Sequence, residues 1–420
     1  MQPYSFGIGD RFAKQGPFLL RAFKEAERKG ILITPVFNKS HREHKTVGSR
    51  PKSVMDEAQQ AVQLLDWIYK YGVDADHIGL DTVHQYLNHA NFFTIDVAKY
   101  IGTKASNEQI DGFVKKISKK LGDNISVPGM NKEISLREDE IIQTARRYLF
   151  AIHKAAEIHA VIARHKKGQR VYIEISMDEV VNPQSPLELL LILVMIAEEG
   201  IPIDTIAPKF CGRFNKGIDY EGDINQFAAE FENDLCIINY IDKTFGLDKK
   251  PKLSVHTGSD KFSLYPVMNK LIKKHDAGLH LKTAGTNWLA EAAGLALAAD
   301  KHGDDKTLNL VKKIYKAAHK RFRELTGPYE HVLNIDEQRL PSPTEVDGWS
   351  GQQFADALMN DPDSESYNPS FRQLMHTAYK IAAEMGDRFL HLLKKYEQET
   401  GHYVFENIYQ NHLKPLYIDE

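Results

Sequence analysis

The chain has 420 residues, a formal net charge of −3, 42% hydrophobic and 26% charged residues. That length can bury a core of one barrel of about 250 residues plus additions, and the near-neutral balance excludes a protein that binds nucleic acid through a basic surface. Two cysteines, Cys211 and Cys236, exclude a disulfide framework and a four-cysteine zinc site and point to a reducing compartment.

The start, Met1 to Gly7, lacks the basic-then-apolar layout of a signal peptide. The longest apolar run, Leu189 to Ala197, has nine residues, too few to span a bilayer. The expectation is a cytoplasmic protein with no membrane partner and no nucleic-acid partner. The oligomeric state is open.

Strand-like segments recur along the first three hundred residues: Tyr4–Gly9, Ile31–Phe37, Asp74–Ile78, Phe92–Asp96, Val171–Ser176, Ile203–Ala207, Leu253–His256 and Gly278–Lys282. Amphipathic stretches such as Pro17–Lys29, Ser53–Tyr71, Asn225–Lys243 and Asn287–Asp300 lie between them. Eight strands with crossover helices predict an α/β (β/α)8 TIM-type barrel over residues 1–302, with a doubly wound sheet as the alternative. Ser185, Pro186, Glu188 and Gly200 frame one buried helix. Residues 103–168 read as a helical insertion, with capping boxes at Ser106/Gln109 and Ser135/Glu138. Residues 303–420 read as a helical carboxyl-terminal extension.

In such a barrel ligands bind at the carboxyl ends of the strands. Two segments stand out there: Leu253 to Phe262, with His256 and Lys261, and Gly278 to Thr286, with His280 and Lys282. Asp76 and His77 close the third strand. His77, His256 and His280, on three strands, suit a divalent metal that acts as a Lewis acid. Each histidine taken singly is more often structural. Adjacent Asp76 and His77 point to opposite faces of a regular strand, so both reach one site only at a strand end or a bulge. Glu174, a carboxylate between apolar neighbours, is expected to have a raised pKa and to work as an acid or base with Asp76. Asp178 and Glu179 read equally well as loop caps. Arg11, Lys39, Arg42, Lys209, Lys261 and Lys282 are candidates for an anionic substrate group. Lys282 as a Schiff-base lysine is an alternative. The segment Gly7 to Arg11 lacks the third glycine of a dinucleotide fingerprint.

Several words of this sequence resemble the tagaturonate epimerase family. They include Phe6-Gly7-Ile8-Gly9-Asp10-Arg11, Gly72-Val73-Asp74-Ala75-Asp76-His77, Phe93-Thr94-Ile95-Asp96 and Ser176-Met177-Asp178-Glu179. Lys216 to Asp223, His256 to Pro266 and His280 to Thr286 match as well, with an echo at Phe371 to His376. The resemblance implies an enzyme that uses one divalent metal ion to interconvert D-tagaturonate and D-fructuronate. It implies Asp76 and Glu174 as the acid–base pair and His77 and His256 as metal ligands, with His280 as the third. The loop Asn38 to Glu43 matches only in part, and relatives carry a further stretch before Phe6.

The two uronates differ at the carbon β to the ketone, which enolisation does not invert. Retro-aldol cleavage and re-addition does, and a redox route would need the nicotinamide cofactor for which no fingerprint exists. Two other readings are an aldolase acting on a sugar acid, through metal or through Lys282, and a barrel that binds a sugar acid without turnover.

Overall fold

Each of the eight strand-like segments pairs in parallel with its sequence neighbours, and the last pairs with the first. The structure is a computed structural model that describes all residues except 246, 248, 284, 285 and 420, and the side chain of Thr286. Residues 284 and 285, at the end of the second motif, lie outside the described set. The barrel strands are β1 (Tyr4–Gly9), β2 (Ile33–Ser40), β3 (Gly72–Ile78), β4 (Phe92–Asp96), β5 (Tyr172–Ser176), β6 (Thr205–Ala207), β7 (Lys252–His256) and β8 (Leu279–Thr283). They close in chain order, which is a (β/α)8 TIM-type barrel. The short, weakly apolar third strand forms in full.

Side chains of alternating parity fill the lumen in layers. Val36, Phe92 and Tyr172 form a separate apolar cluster with Met1 against it, at the amino-terminal end. Above it Lys252 donates to Ser5 Oγ at 2.6 Å, and Ser5 Oγ lies 2.9 Å from His280 Nδ1. Charged groups take over toward the carboxyl ends. Gly7 makes room there: a Cβ on it would lie 3.1 Å from Lys282 Cγ.

The helix Pro186–Glu198 starts as expected, with Ser185 accepting from the Glu188 N–H and Pro186 in its first turn. Its residues from Leu189 to Ile196 are all buried, which explains an apolar run too short for a membrane. Among the described residues no helix is long and apolar enough to cross one. Residues 103–168 contain two helices, Asn107–Lys120 and Glu138–His165, and a two-stranded hairpin of Asn124–Ile125 and Ile134–Ser135. The Ser106 capping box forms. The one expected at Ser135 does not, because Ser135 pairs with Asn124 and the helix starts after Arg137.

Beyond β8 the helix Thr286–His302 anchors a second apolar core, built with helices from Asp305–Lys320 to Asp387–Lys395. The chain then returns to the barrel. Leu413, Leu416 and Tyr417 join the first core, and the Tyr417 hydroxyl donates to Ser5 O. Gly401, in the helix Glu397–Glu406, lies against Phe18 of the helix Gly16–Arg28, and a Cβ there would sit 2.4 Å from the ring. Gly401→Ala is therefore expected to lose about 1–3 kcal/mol in urea denaturation through overpacking. Gly112→Ala, at a helical site with open space around it, is expected to be neutral or to gain up to about 1 kcal/mol.

Candidate active site at the carboxyl face of the barrel

The centre of the carboxyl face is one ammonium group among carboxylates. Lys282 Nζ lies 2.7 Å from Asp74 Oδ2, 2.6 Å from Asp76 Oδ1 and 3.7 Å from Glu174 Oε1, and donates to Thr94 Oγ1 at 2.7 Å. Burial pushes the lysine down, but the three carboxylates outweigh it and hold it firmly protonated. Burial pushes Asp74 up to about 6 despite Lys282. For Asp76 the attraction of Lys282 and His77 overcomes burial and keeps the carboxyl below its usual range. A lysine bound this way is the opposite of the unpaired, desolvated amine that Schiff-base formation requires.

The parity conflict at Asp76 and His77 is resolved by the backbone. The pairing of β3 with β4 shifts register between Ala75 and Ile78, and His77 has φ of +52°. This bulge turns both side chains to the site. His77 then meets His256 with ring centroids 5.2 Å apart. His77, His256 and Asp178 bring ligand atoms within 4.8 Å of one another.

His256 Nε2 lies 2.9 Å from Glu174 Oε1. Its Nδ1 lies 3.2 Å from Asp178 Oδ1, so the ring is gripped by a carboxylate at each nitrogen and Nδ1 is the one turned to the group. His77 Nδ1 and His256 Nδ1 are buried and have no hydrogen-bond partner among the described residues. Burial lowers both imidazoles, yet Asp76, Asp96 and Asp178 raise His77 to about 10, and Asp178 and Glu174 raise His256 to about 9. Two imidazoles ringed by excess carboxylate are protonated on their own, and a divalent cation held with Asp178 would take the place of those protons.

Other sequence-predicted residues sit elsewhere. Glu174 is fully buried beneath His256, accepting from Thr205 and Thr94, and does not line the cavity above. Its carboxyl is not raised as expected: burial favours that, but His256 and Lys282 pull it well below the usual range. His280, expected as the third metal ligand, is two residues before Lys282 and so one layer deeper in the lumen. There it faces Ser5 and stacks near Phe92 at 5.3 Å, while burial drives it down to about 3. The side chain that lies within 4.8 Å of the ligand atoms of His77 and His256 is Asp178.

Among the expected anion-binding residues, Lys39 is buried on the helix side of β2, with Glu57, Glu291 and His44 as its electrostatic neighbours. Alternation turns Ser40 to the cavity instead. Lys261 is consumed by the backbone: its ammonium donates to the carbonyls of Asn215, Ile218 and Asp260. Arg11 is buried against Glu43 at 3.0 Å and over the Tyr379 ring, outside the main cavity. Only Lys209 of these four lines it.

That cavity has a volume of about 510 Å³. Asp76, His77, Asp178, His256 and Lys282 belong to its lining, which also includes Arg42, Lys209, Arg213 and Lys216. His331 and Val332 of the carboxyl-terminal extension complete the wall. Asp178 was legible as a continuation of the period of two through Glu174 and Ser176. Lys216 and the extension residues carried no such signal, because loops from distant parts of the chain bring them in.

A closed parallel barrel with a carboxylate, imidazole and lysine cluster over a polar cavity defines a TIM-barrel enzyme for a small polar substrate. The sequence profile of tagaturonate epimerase matches residues 1–416, and the chain belongs to that family. It is 27% identical over 423 aligned residues to the tagaturonate/fructuronate epimerase of Thermotoga maritima, covering 98% of this chain and 79% of that protein. The glycerol-complexed crystal structure of the fructuronate-tagaturonate epimerase of Cohnella laeviribosi superposes with a TM-score of 0.79 at 25% identity, covering 98% of this chain and 81% of that one. Its native form gives 0.77 at 24% identity over the same shares.

Lys282→Met leaves Asp74, Asp76 and Glu174 without their shared cation. In EDTA it is expected to lose about 3–5 kcal/mol in urea denaturation, and adding Asp74→Asn to recover part of that. A single variant within about 0.5 kcal/mol of the parent would mean that the carboxylates are balanced without the lysine.

Proposed function

We propose that this protein interconverts D-tagaturonate and D-fructuronate with the help of one divalent metal ion, by retro-aldol cleavage and re-addition. The observation that carries the reading is the inward-facing group of His77, Asp178 and His256 beside Asp76 in one cavity of a chain of this family. The names of its relatives support the substrate pair.

His77, Asp178 and His256 would hold the ion. A divalent cation there supplies Lewis acidity toward the ketone and neighbouring hydroxyl of a sugar acid. Asp76 lines the cavity and is kept ionised by Lys282, which suits it to take the proton of the hydroxyl on the carbon to be inverted. The O–H electrons form the aldehyde carbonyl, and the C–C bond pair passes to the ketone half as an enediolate. After the aldehyde turns its other face, the bond re-forms and Asp76 returns the proton.

Lys282 adds a fixed positive charge beneath the reacting atoms. Glu174, expected as the second proton-transfer group, is better placed as a positioning residue: it holds the His256 ring by Nε2 and shares Lys282 with Asp76. The wall made by His331 and Val332 helps retain the two halves, which an epimerase must rejoin and an aldolase releases.

An NMR time course with D-tagaturonate in D2O, with and without EDTA treatment, tests the reaction. Fructuronate is expected only with metal and without deuterium at the inverted carbon; deuterium there would sink the retro-aldol route. Metal analysis of variants tests the roles. Asp178→Asn is expected to lose bound metal, Glu174→Gln to weaken it about 10–100-fold, and Asp76→Asn to keep it while turnover falls at least about 100-fold. Loss of metal in Asp76→Asn would make Asp76 a ligand and remove it as the base.

A further inference from the structure

Two cations in the cavity wall have no carboxylate partner. Arg42, in the first turn of the helix His41–Val47, and Lys216, in the loop after β6, form no ion pair among the described residues. Both are instead arranged around one aromatic ring. The Arg42 guanidinium lies 4.7 Å from the Tyr329 ring centre, and Lys216 Nζ lies 5.8 Å from it.

The placement is built rather than incidental. The Ser40–Glu43 capping box fixes the helix that carries Arg42. The Lys216 N–H donates to Val332 O at 2.9 Å, which ties its loop to the segment that carries Tyr329. Glu43, the nearby carboxylate, is occupied by Arg11 at 3.0 Å. Glu43 and Glu179 act on Lys216 from a distance, but neither forms an ion pair with Lys216 or Arg42 among the described residues, so the like charges are only partly offset. Burial, Arg42 and Arg11 lower Lys216 to about 8 against the pull of Glu43 and Glu179.

We propose that Arg42 and Lys216, held by Tyr329, bind the carboxylate of the sugar-acid substrate and set the preference for uronates over neutral ketoses. The inference rests on the epimerase reading and deepens it. In a ketohexuronate the ketone and the carboxylate stand on opposite sides of the carbon to be inverted. One end then meets His77, Asp178 and His256, and the other meets the two cations of the same cavity. Lys209 and Arg213 line that cavity too, but among the described residues no shared aromatic contact holds them together. A cation pair converging on one ring suits a single carboxylate and gives specificity as well as affinity.

The test uses the full-length metal-loaded protein with Lys216→Met and Arg42→Gln. Steady-state kinetics are measured on D-fructuronate and, as the uncharged counterpart, on D-fructose. Each variant is expected to lose about 10–100-fold in kcat/KM for fructuronate, mostly through KM, and its uronate-to-ketose preference is expected to fall by the same factor. Unchanged KM for fructuronate, or equal losses on both substrates, would overturn the proposal. Arg42 is exposed at the rim, so its variant keeps the test alive if Lys216→Met fails to fold.

If the parent protein turns over neither uronate, the epimerase reading fails by itself. Calorimetric binding of D-fructuronate then decides the clamp separately. Binding lost in both variants upholds it; binding equal to the parent, or none by the parent, overturns it.

Discussion

One buried ammonium group organises this active site. Lys282 is held by Asp74, Asp76 and Glu174 in the lumen of the barrel, where none of the four could stand ionised alone. Its charge keeps the Asp76 carboxyl below its usual range and, together with His256, does the same for Glu174, which holds the His256 ring. Because His256 is fixed through one nitrogen, its other nitrogen is free to meet Asp178 and His77. Gly7 is the steric side of the same arrangement, since a side chain there would press on the Lys282 stem.

The sequence announced the barrel because most of its strands are short apolar runs at intervals that crossover helices fill; β3 is the exception, weakly apolar and followed only by the single turn Val83–Gln85. It also announced the end of the barrel that carries chemistry, because Asp76, His77, His256 and Lys282 cluster at strand ends. Parity explains most of the differences. His280 and Lys282 share a face, so only the residue nearer the strand end reaches the cavity, and His280 is left to the layer below. Lys39 has the wrong parity for the lumen, and Glu174 has the right parity but sits too deep to touch it. His77 breaks parity through a bulge that no one-dimensional pattern reveals. Asp178 obeys it one step past the strand. Lys261 shows a different limit: its position was right for a ligand group, but four backbone and hydroxyl acceptors claimed its protons.

The carboxyl-terminal extension is more than a cover. Its own core is built on the helix Thr286–His302, which follows the strand that supplies Lys282. From that base it delivers His331 and Val332 to the cavity wall, and Tyr329 to the Arg42 and Lys216 side chains that line the same cavity. The barrel supplies the carboxylates, imidazoles and lysine, and the extension closes part of the cavity above them.

The return of the last turns to the first strand has a consequence for biosynthesis. Ser5 accepts a hydrogen bond from Tyr417 across 412 residues of sequence, and β1 has an open edge until β8 exists. On the ribosome the strand made first is therefore among the last to be completed, and its unpaired edge is exposed for most of translation. Closure of the ring, assembly of the charged cluster and completion of the cavity wall all wait for the final third of the chain. The charged cluster cannot form piecemeal as the strands emerge, because Lys282, the cation at its centre, is made after every carboxylate it holds.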